Sequence, residues 1–75
     1  MTRSVPNLAA VEALDDQEMI EGYWSGRDGD PEPGDNRSLA FWHGWRNGAV
    51  DFKHRQIDAE QMKIAGEFVA KGRAA

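Results

Sequence analysis

Two short segments, GYWSGRDG at residues 22–29 and GWRNG at residues 44–48, decide the fold of this chain. Each contains two glycines four residues apart, next to large aromatic rings. A glycine inside a helix costs about 1 kcal/mol relative to alanine, and so small a chain has little stability to lose. The segments therefore predict two helices that pack at short backbone distance. The four glycines of that contact are Gly22, Gly26, Gly44 and Gly48. Alternatively, the glycines clear space for a ligand or a partner's backbone.

The hydrophobic pattern predicts an all-α fold, since no segment alternates in the manner of a strand. Apolar residues recur at helical spacing in three segments, at about residues 16–27, 37–54 and 58–71. The first two are the helices that carry the glycines. Asp58 is expected to start the C-terminal helix and Gly72 to stop it. The predicted structure is a small helical module of two glycine- and aromatic-packed helices plus a C-terminal helix.

The remaining segments predict loops and one weakly patterned terminus. Residues 28–35 contain two prolines and two glycines and are expected to form a loop. Residues 1–14 are expected to be flexible or to form a short helix capped by Asn7, ahead of a single helical domain at residues 15–75. On the C-terminal helix, charged residues spaced by three or four positions predict a solvent-exposed side. These are Glu60, Lys63, Glu67 and Lys71.

Composition excludes several classes of function. The chain has no cysteine, and its two histidines, His43 and His54, are too far apart in sequence to suggest a zinc site. No phosphate-binding loop and no nucleophile–base pair is visible, so we expect a protein that is not an enzyme and uses no cofactor or metal. No apolar run approaches the roughly 18 residues of a membrane span, and no signal peptide is visible. The expected location is the cytoplasm.

The charge of −4 is unevenly distributed. Residues 1–35 carry a net charge of −7, and residues 36–75 carry +3. The second half suits an anionic partner such as RNA, whereas the first half suits a basic protein. The simpler interpretation is that two solvated faces differ in charge.

The aromatic residues are expected to fill the core, with exceptions at its edge. Phe41, Trp45 and Phe52 fall on the same arc of the second helix. Three tryptophans are too many for so small a core to bury completely, and Trp24 and Trp42 lie at the margins of their faces. An exposed tryptophan stacks on a nucleobase or anchors a protein contact; alternatively, it closes the edge of the core.

The order of short motifs in residues 21–50 resembles the ribosome modulation factor family. The pattern is G-Y-x-x-G-x-x-G, a proline-containing loop, N-R-S and G-W-R. Its residues here are Gly22, Tyr23, Gly26, Gly29, Asn36, Arg37, Ser38, Gly44, Trp45 and Arg46. Small plasmid- and phage-borne proteins share this core. The resemblance covers less than half of the chain and leaves the C-terminal helix outside it.

The resemblance implies two packed helices joined by a loop, in a factor that binds ribosomes and represses translation in stationary phase. It also implies contacts with ribosomal RNA and proteins, with no cofactor. By the same analogy, Arg37 and Arg46 face phosphates, and Lys53 extends Arg46 into a short basic stripe near Trp42. Tyr23 and Trp24 complete the residues expected to bind RNA or a partner.

Two further hypotheses follow from the residues themselves. The acidic N-terminal half suits a protein–protein interaction module, such as a phage or plasmid inhibitor or adaptor that docks on a basic protein. Surplus apolar surface on so short a chain suits a homodimer.

Overall fold

The computed structural model describes residues 4–74, with side chains described as far as residue 72. The four helices of this range are α1 (Leu8–Glu12), α2 (Asp16–Arg27), α3 (Leu39–Asp51) and α4 (Ala59–Ala74). No strand occurs in it, which confirms the all-α prediction. The first three residues of the expected N-terminal segment and residue 75 of the expected domain lie outside the described residues.

The contacts divide the chain into two compact units. One unit is Leu14–Gln56, which contains α2 and α3, and the other combines Met1–Ala13 with Ile57–Ala75. The short N-terminal helix therefore belongs with α4, a grouping that the sequence did not indicate.

Side-chain caps start all four helices, and two of the caps, Asn7 and Asp58, are those that the sequence predicts. Asn7 accepts a hydrogen bond from the Ala10 N–H at the start of α1, at 2.9 Å. Aspartate or serine oxygens do the same at the other helices, which satisfies backbone donors that have no partner within the helix. These caps are Asp15 on α2, Ser38 on α3 and Asp58 on α4.

Both α2 and α3 end in the same hydrogen-bonded turn, but with different residues. At the end of α2, Gly29 has a φ of 78° and the Asp30 N–H bonds back to the Ser25 carbonyl. At the end of α3, the left-handed residue is Lys53, with a φ of 65°. The prediction that this helix spans 37–54 was too long, because Ser38 caps it and the turn at Lys53 ends it.

The α2–α3 contact is made by backbone against backbone at the four glycines. A Cβ atom at Gly22 would overlap the Phe41 carbonyl oxygen and lie 2.9 Å from the Trp45 nitrogen. One turn later, a Cβ atom at Gly26 would overlap the Trp45 carbonyl oxygen and lie 2.6 Å from the Ala49 nitrogen. The later glycine of α2 therefore meets later residues of α3, so the two helices run parallel.

The same contact seen from α3 has the same geometry. A Cβ atom at Gly44 would overlap the Met19 carbonyl oxygen, and one at Gly48 would overlap the Tyr23 carbonyl oxygen. Each helix thus offers two glycines to carbonyl groups of the other, an arrangement that brings Cα–H groups close to carbonyl oxygens. This contact is what offsets the helix-propensity cost of the glycines.

In the other unit, the polar side of α4 holds the N-terminal segment. The Val5 N–H donates to Glu60 at 2.8 Å, and the Leu8 N–H donates to Glu67 at 2.8 Å. Lys63 donates in turn to the Pro6 carbonyl at 3.0 Å. The expectation that this charged side of the helix faces solvent is confirmed for Lys63 and Lys71 and wrong for Glu60 and Glu67, which are half-buried. Its carboxylates are hydrogen-bond acceptors for backbone donors far away in sequence.

The C-terminal helix also continues past Gly72, contrary to the prediction that it stops there. Glycine ends a helix when it adopts a positive φ, and Gly72 does not. The apolar side of α4 is exposed, with Phe68 67% and Met62 55% accessible. The exposed residues of α4 therefore include apolar ones as well as Lys63 and Lys71.

Candidate nucleic-acid interface

Three aromatic rings form a cluster on the surface of the α2–α3 unit. Tyr23 contacts Trp24 edge to face at a centroid distance of 5.4 Å, and Phe52 in the same way at 6.1 Å. Trp24 and Phe52 are each 47% exposed, whereas Tyr23 is half-buried. Edge-to-face contacts hold the rings rigid, so that their exposed area is available to a partner without much loss of side-chain entropy.

One cationic side chain contacts this cluster, and a second cationic residue follows it in sequence. The Arg27 guanidinium lies 4.5 Å from the centre of the Trp24 ring. Lys53 follows Phe52 directly and is exposed. The ends of the two parallel helices meet here, since His54 Nε2 is 3.0 Å from the Arg27 carbonyl oxygen. We call this set of residues the aromatic–basic surface: Tyr23, Trp24, Arg27, Phe52 and Lys53.

Lys53 has the backbone conformation that normally favours glycine. It is the one non-glycine residue with a positive φ in the described part of the chain. Its N–H donates to the Val50 carbonyl at 3.1 Å, which fixes the turn. A side chain in this region of φ costs roughly 1 kcal/mol or more, and such strain clusters at functional sites.

The two arginines that the family resemblance expects to face phosphates differ in their exposure to solvent. Arg46 is 2% exposed; its guanidinium lies 4.6 Å from the centre of the Trp42 ring, and Nη2 lies 3.5 Å from His43 Nδ1. Arg37 is exposed and lies over the Phe41 ring at 4.6 Å. Of the two, Arg37 alone presents its charge to solvent.

Trp42 is buried, with 6% exposed, so the expectation that it lies open at the edge of the core is wrong. Its indole N–H donates to Glu32 of the α2–α3 loop at 3.2 Å. Phe52, expected in the core, is the exposed ring instead. Phe52 is the C-cap of α3, so its ring lies at the end of the helix, where it contacts Tyr23 and stays 47% exposed.

Arg27 and Phe52 are the two residues of the aromatic–basic surface that the sequence did not predict. Arg27 lies three residues after Trp24, a spacing that puts two side chains on the same side of a helix. That signal was present for Arg27, whereas the position of Phe52 depends on where α3 ends.

Tyr23 also has a polar partner within the unit. Its hydroxyl donates to Asp51 at 2.8 Å, and this hydrogen bond raises the pKa of the tyrosine above its ordinary value, with desolvation and the aspartate charge adding to the effect. The hydrogen bond stabilises the fold while the phenol is protonated. That contribution is complete below the ordinary pKa and is lost as the pH rises through the raised one.

Asp51→Asn is expected to lower the pKa of Tyr23 towards that of free tyrosine, because it removes the negative charge that disfavours the phenolate. Tyr23 is the single tyrosine of the chain, so the ultraviolet absorbance of tyrosinate during an alkaline titration reports on it alone. An unchanged titration midpoint would show that the hydrogen bond does not form in solution.

Comparisons of the chain with protein-family models, with curated proteins and with solved structures find no match. Within residues 4–74, no helix is long and apolar enough to cross a membrane. The described side chains also include no group of three or more histidine or carboxylate ligands that could hold a metal ion.

Proposed function

We propose that this chain is a non-enzymatic protein that resembles ribosome modulation factors, binds ribosomal RNA on the ribosome and represses translation in stationary phase. The observation that carries the proposal is the aromatic–basic surface. Exposed rings beside cations suit unpaired bases and their phosphates, since base–aromatic stacking contributes about 1–3 kcal/mol per base.

Each residue of the aromatic–basic surface contacts a different part of the RNA in this proposal. Trp24 and Phe52 offer ring area to bases, and the Arg27 guanidinium, already stacked on Trp24, extends the stack with a cationic plane. Lys53 reaches a phosphate. Binding through these two cations weakens as salt rises, because each phosphate contact releases counterions.

Two acidic residues of α2, Asp16 and Glu18, lie in its first turn. They precede Gly22, whereas Trp24 and Arg27 belong to the last turn. The helix has 12 residues and is therefore about 18 Å long. Screening at physiological salt acts over about 8 Å, so Asp16 and Glu18 leave the attraction between RNA and the basic end largely intact. Asp28, which pairs with Arg27 at 3.0 Å, is the acid that a phosphate has to displace.

The residues that carry the family resemblance support the scaffold in this proposal. The four glycines lie in the backbone contact between α2 and α3, and Trp45 and Arg46 are buried. The glycines, Trp45 and Arg46 of the resemblance thus hold the helix pair together, and the exposed rings and cations account for binding.

Lys53→Gly is expected to make the protein more stable and ribosome binding weaker. Glycine relieves the left-handed backbone and gains about 0.5–1 kcal/mol, whereas the loss of the ammonium group removes a phosphate contact. Thermal unfolding measures the first effect. Sedimentation of the tagged protein with ribosomal particles, in sucrose gradients of stationary-phase lysates, measures the second.

Trp24→Ala provides the complementary variant, with Ile20→Ala as its matched control. Ile20 lies one turn earlier on α2 and is exposed to a similar extent, 52% against 47% for Trp24. Loss of sedimentation in Trp24→Ala but not in Ile20→Ala supports the proposal. The proposal fails if the unmodified protein does not sediment with ribosomal particles, or if it enriches basic proteins without RNA.

A further inference from the structure

An open pocket of about 300 Å³ is formed by the α2–α3 loop, the last turn of α2 and the first turn of α3. The polar and aromatic residues of its lining are Ser25, Asp30, Glu32, Asn36, Arg37 and Phe41. We call it the loop pocket. Its volume is at the lower limit of small-molecule sites and suits one flat ring, such as a single nucleobase.

The two carboxylates of the loop pocket are held in place by neighbouring side chains. Glu32 Oε2 accepts from the Trp42 indole N–H at 3.2 Å, and Asp30 Oδ2 accepts from the Ser25 hydroxyl at 2.9 Å. The Asp30 carbonyl oxygen is bound in turn by the Trp45 indole N–H. The other oxygen of each carboxylate has no hydrogen-bond partner among the described residues. Both oxygens are therefore fixed acceptors that a ligand can use.

Arg37 gives the same pocket a flat cationic side. Its guanidinium lies over the Phe41 ring, 4.6 Å from the ring centre, and the residue is exposed. A guanidinium plane stacks on nucleobases as it does on aromatic side chains. The two acids repel a phosphate group, and the charge of Arg37 opposes a cationic side chain of a protein partner. A neutral ring with several N–H donors suits the acids and the arginine together.

Guanine is the nucleobase that matches this set of groups. Its Watson–Crick edge presents two neighbouring donors, N1–H and the N2 amino group, to carboxylate oxygens. Its O6 and N7 atoms are acceptors for N–H groups, which Asn36 and Arg37 supply. Adenine and cytosine have a single amino group on this edge, and uracil has none. A buried or fixed acceptor that loses its donor is penalised, which favours guanine over the other bases.

The loop pocket borders the aromatic–basic surface. Ser25 of the pocket directly follows Trp24 on α2, and Asp30 directly follows the turn at Gly29. A single strand that stacks one base on Trp24 can therefore place a neighbouring base in the pocket.

We propose that the loop pocket binds an unpaired guanine of the RNA that lies on the aromatic–basic surface. The carboxylates of Asp30 and Glu32 accept the donors of its Watson–Crick edge, and Arg37 stacks on the ring. The inference rests on the proposed function and adds to it a preference for one base.

Binding of labelled hexanucleotides, measured by fluorescence anisotropy, tests this preference. Hexauridine with one central guanosine is expected to bind the full chain about tenfold more tightly than hexauridine alone. Inosine at the same position lacks only the N2 amino group and is expected to lose most of that gain. Equal affinity for the three overturns this inference alone. Binding of none overturns it too, and sedimentation with ribosomal particles then shows whether the proposed function fails with it.

A double variant, Asp30→Asn with Glu32→Gln, tests the residues. The amide oxygens can still accept from Ser25 and Trp42, so helical circular dichroism is expected to be unchanged, while the preference for guanosine is lost. Asp16→Asn with Glu21→Gln is the matched control, because it removes the same two charges from exposed positions of α2 and is expected to keep the preference. A preference that survives in the pocket variant, or that is lost in both variants, overturns the proposal.

Discussion

Replacing Gly22 by alanine is expected to destabilise the α2–α3 unit by about 3 kcal/mol, the upper end of the range for overpacking. The added methyl group would overlap the carbonyl oxygen of Phe41 and lie 2.8 Å from its carbonyl carbon. These are backbone atoms inside a helix, so no side-chain rotation relieves the clash. The helices must move apart, which also loosens the contacts at Gly26, Gly44 and Gly48. Urea unfolding followed by circular dichroism measures the effect.

Gly72→Ala is the matched control, because nothing lies within 4 Å of where its Cβ atom would be. Here the methyl group meets open space inside a helix, and alanine is favoured over glycine by up to about 1 kcal/mol. The same substitution is thus expected to have opposite signs at the two positions. Equal effects at both would mean that the backbones of α2 and α3 do not touch in solution.

The glycine spacing made the packing of α2 and α3 predictable, because several glycines inside helices need a compensating close contact. It did not indicate the direction of the two helices. The loop between them is 11 residues long, from 28 to 38, and a loop of that length permits either direction. The parallel direction matters for the site, since it brings the ends of both helices together at Arg27 and Lys53.

The other differences have local physical causes. Lys53 ends α3 in a conformation that sequence patterns assign to glycine, which leaves Phe52 as the C-cap at the end of the helix, 47% exposed. On α4, spacing separates an apolar side from a charged side but does not say which one packs. Glu60 and Glu67 on the charged side are half-buried because they accept hydrogen bonds from backbone donors of the N-terminal segment, and hydrophobic periodicity does not detect such bonds.

The second large effect is expected from Trp45→Ala. Trp45 is 7% exposed, and its indole N–H donates to the Asp30 carbonyl oxygen at 2.9 Å, which ties the α2–α3 loop to α3. Truncation of a buried tryptophan costs about 3–5 kcal/mol through lost burial and the cavity that it leaves. The same change also frees the loop. Hydrogen exchange of the α2 and α3 amides, together with urea unfolding, measures the loss.

Trp45→Phe separates the two contributions, since phenylalanine keeps most of the buried ring and lacks the indole N–H. Asp30 is exposed, so water can replace the lost donor, and the expected cost is the roughly 1 kcal/mol net value of a hydrogen bond plus a small loss of burial. If Trp45→Phe is as destabilising as Trp45→Ala, the hydrogen bond to the loop is the main stabilising contribution of this side chain. If Trp45→Phe costs less than Trp45→Ala, as expected, the main stabilising contribution comes from the buried ring, which packs beside the glycine contact.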